Sequence, residues 1–145
     1  MADHNPAPWH HGIVVGLSLL FYLIGSVDFV VGASGLGVYL DWFSASQRAF
    51  VTGLPGWILA VWAVATLGGL FGSWLLRGRH RSAVLFLFLP VAAILFLILW
   101  LSIFSRPGLI AVLGFSGLYI LAGTTAITFL IYSYARWERT HHYLT

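Results

Sequence analysis

The chain has no cysteine and no lysine, and only 8% of its 145 residues are charged. The missing cysteine excludes disulfides, thiol redox chemistry, iron–sulfur ligation and thiolate zinc sites. The shortage of charge excludes an ordinary soluble domain, in which about 25% of residues are charged. Acids are few, with four Asp and Glu in the whole sequence. No paired carboxylates, Ser/His/Asp arrangement or phosphate-cradling glycine loop lies within reach of the apolar segments, so no catalytic residue is assigned and no enzyme is expected. His4, His10, His11, His80, His141 and His142 all fall outside the apolar runs. A haem held by axial histidines inside a helix bundle is therefore not expected. No cofactor or metal is assigned; His10-His11 and His141-His142 lie on the same predicted side and could together bind a metal, but adjacent pairs in polar tails read first as solvated residues.

What remains is strongly apolar: 60% of residues are hydrophobic and 17% aromatic. This is the composition of an integral membrane protein with aromatic belts at the interfaces. The stretch from Leu54 to Arg81 organises the rest. Leu54-Pro55-Gly56-Trp57 opens it, an apolar run continues to Leu76, and Arg77-Gly78-Arg79-His80-Arg81 closes it. The run is about one bilayer long at roughly 1.5 Å per residue.

Four such runs predict an all-α, four-helix transmembrane bundle forming one domain over 1–145. The helices are expected at about 12–31, 55–76, 83–104 and 109–134. Gly32-Ala33-Ser34 resembles a signal-cleavage site, but the preceding run is too long for an h-region and is kept as a membrane helix. In the connection over 32–53, Tyr39, Leu40, Trp42 and Phe43 offer apolar surface. Ser44 with Gln47 predicts a capped interfacial helix at about 44–50. Pro90 predicts a bend in the third membrane helix, whose surface has almost no small residues and is expected to face lipid. The residues after Tyr134 read as a polar, basic tail.

The seven Arg set the orientation. Arg77, Arg79, Arg81, Arg136 and Arg139 lie on one side, and Arg48 and Arg106 on the other. Both termini are therefore expected in the cytoplasm. The formal charge of +3 needs no nucleic-acid partner to account for it. Trp9, Trp42, Trp57, Trp100 and Trp137 sit near predicted membrane boundaries, whereas Trp62 and Trp74 lie deeper.

Three sets of residues stand out as candidate sites. Asp28 is the one carboxylate inside an apolar run, which marks it as a binding or coupling group, or as an ion-pair partner for Arg48 or Arg106. Ala65, Gly69 and Ser73 form one helical stripe with Gly68 and Gly72 beside it, and Gly114 and Gly117 mark a second small-residue helix. Another helix, from this chain or a partner, is expected to press there. Arg77, Arg79 and Arg81 fix the topology and are also placed to meet anionic lipid or a partner's acidic loop.

Gly25-Ser26-Val27-Asp28-Phe29, Leu54-Pro55-Gly56-Trp57 with Ala60-Val61-Trp62-Ala63, and Gly68-Gly69-Leu70-Phe71-Gly72-Ser73 together resemble a family of small four-helix bacterial membrane proteins, mostly uncharacterised and sometimes labelled sugar transporters. The resemblance covers roughly residues 20–81. It departs from the family pattern at Phe29, where a Tyr is usual, and in a basic run made only of Arg. It singles out Asp28 and the segment from Pro55 to Trp62, and it supplies no catalytic residue. Two functions are carried forward, both in a bacterial inner membrane. The favoured one is a non-catalytic accessory subunit of a larger membrane complex. The other is an oligomeric transporter of a small, sugar-like solute that uses Asp28.

Overall fold

The computed structural model describes residues 6–35, 37 and 41–144. The elements are α1 (His11–Ala33), α2 (Ala45–Thr52), α3 (Gly56–Arg77), α4 (Ala83–Ile103) and α5 (Leu109–Thr140). No strand occurs among the described residues. Tyr39 and Leu40, part of the apolar surface expected before α2, lie outside them. Helices α1, α3, α4 and α5 are long and apolar enough to cross a membrane, as in a multi-pass membrane protein. The 21 residues of α4 reach roughly 32 Å, against a hydrocarbon core of about 30 Å.

Local chemistry sets the helix ends. Pro55 precedes α3 in an extended conformation, and its carbonyl accepts from the amide of Ile58 at 2.9 Å. The missing amide of proline costs nothing there. Ser44 and Gln47 form the reciprocal capping box of α2. Helices α3 and α5 both end in a Schellman turn. His80 N–H reaches Leu75 O and Arg79 N–H reaches Leu76 O; Tyr143 N–H reaches Glu138 O and His142 N–H reaches Arg139 O. The turning positions usually belong to glycine. Here they are Arg79 at φ 57° and His142 at φ 59°. Holding a side chain in the left-handed region costs roughly 1 kcal/mol or more, so both are placed by the surrounding structure.

Packing is built on α3. Helix α1 lies against α3, α4 against α3, and α5 against α4, while α2 touches α5. One face of α3 carries Ala65, Gly69, Gly72 and Ser73, all buried. A Cβ at Gly69 would stand 2.0 Å from the Tyr22 ring of α1, and one at Gly72 would stand 2.9 Å from Leu87 of α4. Ser73 donates to Gly69 O at 2.8 Å. Its single proton is thus committed, so Ser18 of α1 donates to the Ser73 hydroxyl. The small-residue face is therefore filled from within the chain. Gly68 stands apart from it, since an added Cβ there would meet only Val64 of its own helix.

Two expectations change. Gly114 and Gly117 do not lie on one regular helical stripe: Gly114 takes φ 64°, ψ −176° and kinks α5, and a Cβ at Gly117 would meet Leu113 of the same helix. Helix α5 does not stop near Tyr134 but continues to Thr140. The segment from Ala135 to Arg139 contains no glycine or proline, and Ala135 and Glu138 are fully buried, so packing extends the helix. Helix α4 lies between α3 and α5 and buries Leu87, Pro90, Val91 and Ala93 there, while Leu85, Phe88, Leu89, Leu95, Phe96 and Leu99 on the rest of its surface stay exposed, as expected of a helix that mostly faces lipid.

Gly69→Ala should cost about 1–3 kcal/mol because the Tyr22 ring is buried and cannot retreat. Gly68→Ala should be neutral or better, since it adds helix propensity in open space. Thermal unfolding of the two variants in detergent checks this, and equal melting temperatures would contradict the packing of α1 on Gly69.

Candidate functional site

Helices α1 and α5 flank the row and approach one another only sparsely, which leaves a cavity of about 420 Å³ lined by all four long helices. Helix α1 contributes Phe21, Tyr22, Gly25 and Asp28, α3 contributes Trp62 and Thr66, α4 contributes Ile94 and Leu97, and α5 contributes Thr124 and Thr128. Ile24 of α1 and Ile120 of α5 also line the cavity and are 62% and 71% exposed, so its border includes apolar side chains that reach the outer surface.

Tyr22, Trp62, Thr66 and Thr128 in the lining are held by their own helices or by packing. The Tyr22 ring lies on Gly69, which sends its hydroxyl toward Thr128 of α5. No acceptor completes hydrogen-bonding geometry with that hydroxyl among the described residues. Thr128 gives its proton to Thr124 O at 2.9 Å, so its oxygen lone pairs are what it presents to the cavity. Thr66 does the same toward Trp62 O at 3.2 Å. Trp62 is fixed edge-on against Phe29, with ring centroids 5.3 Å apart. Asp28 is exposed and lines the cavity. It lies about 9 Å along α1 from Tyr22. The lining is thus mainly aliphatic and aromatic, with a carboxylate toward one end and a tyrosine hydroxyl toward the other.

The remaining candidates are dispersed. Arg48 Nη2 donates to Asp41 Oδ1 at 3.0 Å, so its partner is on the loop before α2 rather than Asp28. Arg106 is exposed and lines a separate groove with Trp100 and Phe104. Of the basic cluster, Arg77 lies over the Trp74 ring at 5.3 Å. Arg79 Nε donates to Tyr143 O at 2.8 Å and Arg81 Nε to Leu144 O at 3.4 Å. Two of the three arginines therefore tether the C-terminal segment, and Leu144 is buried beneath it.

Sequence reasoning passed over one pair. His11 at the start of α1 and Glu138 near the end of α5 meet at 2.6 Å, Nδ1 to Oε1. Glu138 is fully buried and its Oε2 has no hydrogen-bond partner among the described residues. Tyr134, one turn earlier, faces the same carboxylate. His10 packs edge-on against Tyr134, with centroids 5.6 Å apart, and lies beside Trp137. The available signal was spacing: Tyr134 and Glu138 are one turn apart if the helix continues, and His10-His11 abut the opposite helix start. Among the described residues no group of three or more His, Asp or Glu is placed to hold a metal ion.

Removing His11 strands a buried carboxylate, which costs roughly 3–5 kcal/mol. His11→Ala and Glu138→Gln should each lower the melting temperature, and the double variant should fall well short of their sum. Additive losses in that cycle would mean the two side chains act independently. No protein-family model, curated protein or solved structure matches this chain.

Proposed function

We propose that the chain is a four-helix transmembrane bundle of a bacterial inner membrane with both termini cytoplasmic, and that it binds a small amphipathic cation in the cavity between its helices as a transporter-type protein. The cavity is the observation that carries this. Its volume of about 420 Å³ falls within the range of roughly 300–1,000 Å³ common for small-molecule sites. Tyr22 lies near the middle of α1, so the cavity begins at mid-membrane depth and extends toward Asp28.

The lining selects the ligand chemistry. A carboxylate beside apolar surface is stabilised by an opposing positive charge. The rings of Phe21, Tyr22 and Trp62 add faces that attract a cation. A sugar brings many hydroxyl groups that must each be satisfied, and the lining offers few groups to do so. The family resemblance supports a transporter; the cavity directs it to a less polar solute. The accessory-subunit alternative drew on small-residue stripes as docking faces. The stripe on α3 is filled by α1 and α4, which removes that support. The orientation follows from the five Arg at the end shared by the α3–α4 link and the C-terminal segment.

Tetraphenylphosphonium is a suitable probe. It should bind the detergent-solubilised protein saturably and quench tryptophan fluorescence, with Trp62 in the lining. Asp28→Asn should weaken binding about 10-fold or more, equivalent to roughly 1.4 kcal/mol. Equal binding by the two proteins would remove Asp28 from the site, and absence of saturable binding would remove the cavity reading. Orientation is tested separately against a native background without cysteine. Ser82→Cys should react with impermeant maleimide only from the cytoplasmic side, and Ser46→Cys only from the opposite side.

A further inference from the structure

A second concave site lies at the arginine-rich end, between the first turn of α4 and the last turns of α5. It encloses about 450 Å³ and is lined by Val84, Tyr132, Arg136, Arg139, Thr140 and His142. Arg136 and Arg139 are exposed and one turn apart on the same face of α5. Two like charges at that spacing repel unless an anion lies between them. No carboxylate pairs with either among the described residues. Glu138, the nearest in sequence, points to the opposite face of the helix and is committed to His11. Asp41 is committed to Arg48.

His142 adds a ring nitrogen donor to the site. It sits in the left-handed turn that ends α5, and that turn brings its side chain back over the site lined by Arg136 and Arg139. Below the arginines the surface becomes apolar. The Tyr132 ring lies against Phe88 of α4 with centroids 5.7 Å apart, and against Phe129 at 6.5 Å. Phe88 and Phe129 are exposed. A cationic cup above an exposed aromatic groove matches a phosphate with an acyl chain beneath it. Tyr132 stands at the level where an amphipathic ring suits the headgroup boundary.

We propose that Arg136, Arg139 and His142 bind the phosphate of an anionic phospholipid, whose acyl chain lies along Phe88 and Phe129. The proposal rests on the four long helices crossing a bilayer, and it adds a lipid site distinct from the cavity at Asp28. The aromatic groove is what favours lipid over free phosphate, which needs only the cationic cup.

The test is native mass spectrometry of the full chain released from nanodiscs of phosphatidylglycerol and phosphatidylcholine. The native chain should retain a phosphatidylglycerol molecule in preference to phosphatidylcholine. Loss of two interfacial arginines should weaken retention about 10-fold or more in the Arg136→Gln/Arg139→Gln protein. Arg106→Gln, at the other end, should retain lipid as the native chain does. Arg136→Lys/Arg139→Lys should fall between, because charge remains while the bidentate fork is lost. Equal retention by the Gln and native proteins would overturn the site, as would equal retention of the two lipids. Displacement of the lipid by millimolar inorganic phosphate would assign the cup to a soluble anion and overturn the lipid proposal. Alkaline extraction separates the premise from the site: a native chain washed off vesicles overturns both, and one that stays inserted but holds no lipid overturns the site alone.

Discussion

The close approach of α1 and α4 to the small-residue face of α3 governs the rest of the structure. Gly69 admits a tyrosine ring and Gly72 admits a leucine, so α1 and α4 are held on neighbouring sides of one helix. Interiors of membrane proteins gain little from hydrophobicity itself, since lipid is as apolar as leucine; van der Waals fit and buried hydrogen bonds must supply the specificity. The Ser18–Ser73–Gly69 relay supplies a hydrogen bond at the same contact. With α1 and α4 fixed, α5 reaches the assembly through α4, and the space enclosed by all four helices is the cavity. The Tyr22 ring that fills the notch at Gly69 also points its hydroxyl into that space.

The two ends of α5 are held by different means. At one end α2 reaches it, with Gln47 Nε2 donating to Val112 O at 3.2 Å, two residues before the kink at Gly114. At the other end His11 and Glu138 join α1 to α5, and His10 packs edge-on against Tyr134 and beside Trp137. Between these anchors α5 is largely exposed. A buried hydrogen-bonded pair of this kind adds little net stability but strongly penalises any arrangement that separates the partners and leaves a buried polar group unsatisfied. It therefore acts on which helices are neighbours more than on how firmly they adhere.

The four apolar runs and the Ser44–Gln47 cap were legible in the sequence because each depends on residues close together in the chain. The faces of close approach were legible too, as small residues at helical spacing on α3. What covers those faces was not, because Tyr22 and Leu87 announce nothing about Gly69 and Gly72. Glu138 was missed for a related reason. Flanked by Arg136, Trp137 and Arg139 it reads as a solvated tail residue, and its partner lies 127 positions away. Gly114 misled in the opposite direction: glycine serves close packing and backbone reversal equally, and only φ distinguishes them.

In the proposed site, the exposed apolar residues Ile24 and Ile120 at the cavity border would set the phase from which a ligand arrives. A molecule entering past them would come from hydrocarbon, having already left water. Its occupancy then follows its concentration in the bilayer, which is its aqueous concentration multiplied by a partition coefficient. Two ligands with identical contacts in the cavity would differ in apparent affinity by the ratio of those coefficients, and the same ligand would bind differently as the amount of lipid changes. Selectivity in the proposed site would thus be divided between the membrane, which concentrates amphipathic molecules, and Asp28, which would sort them by charge.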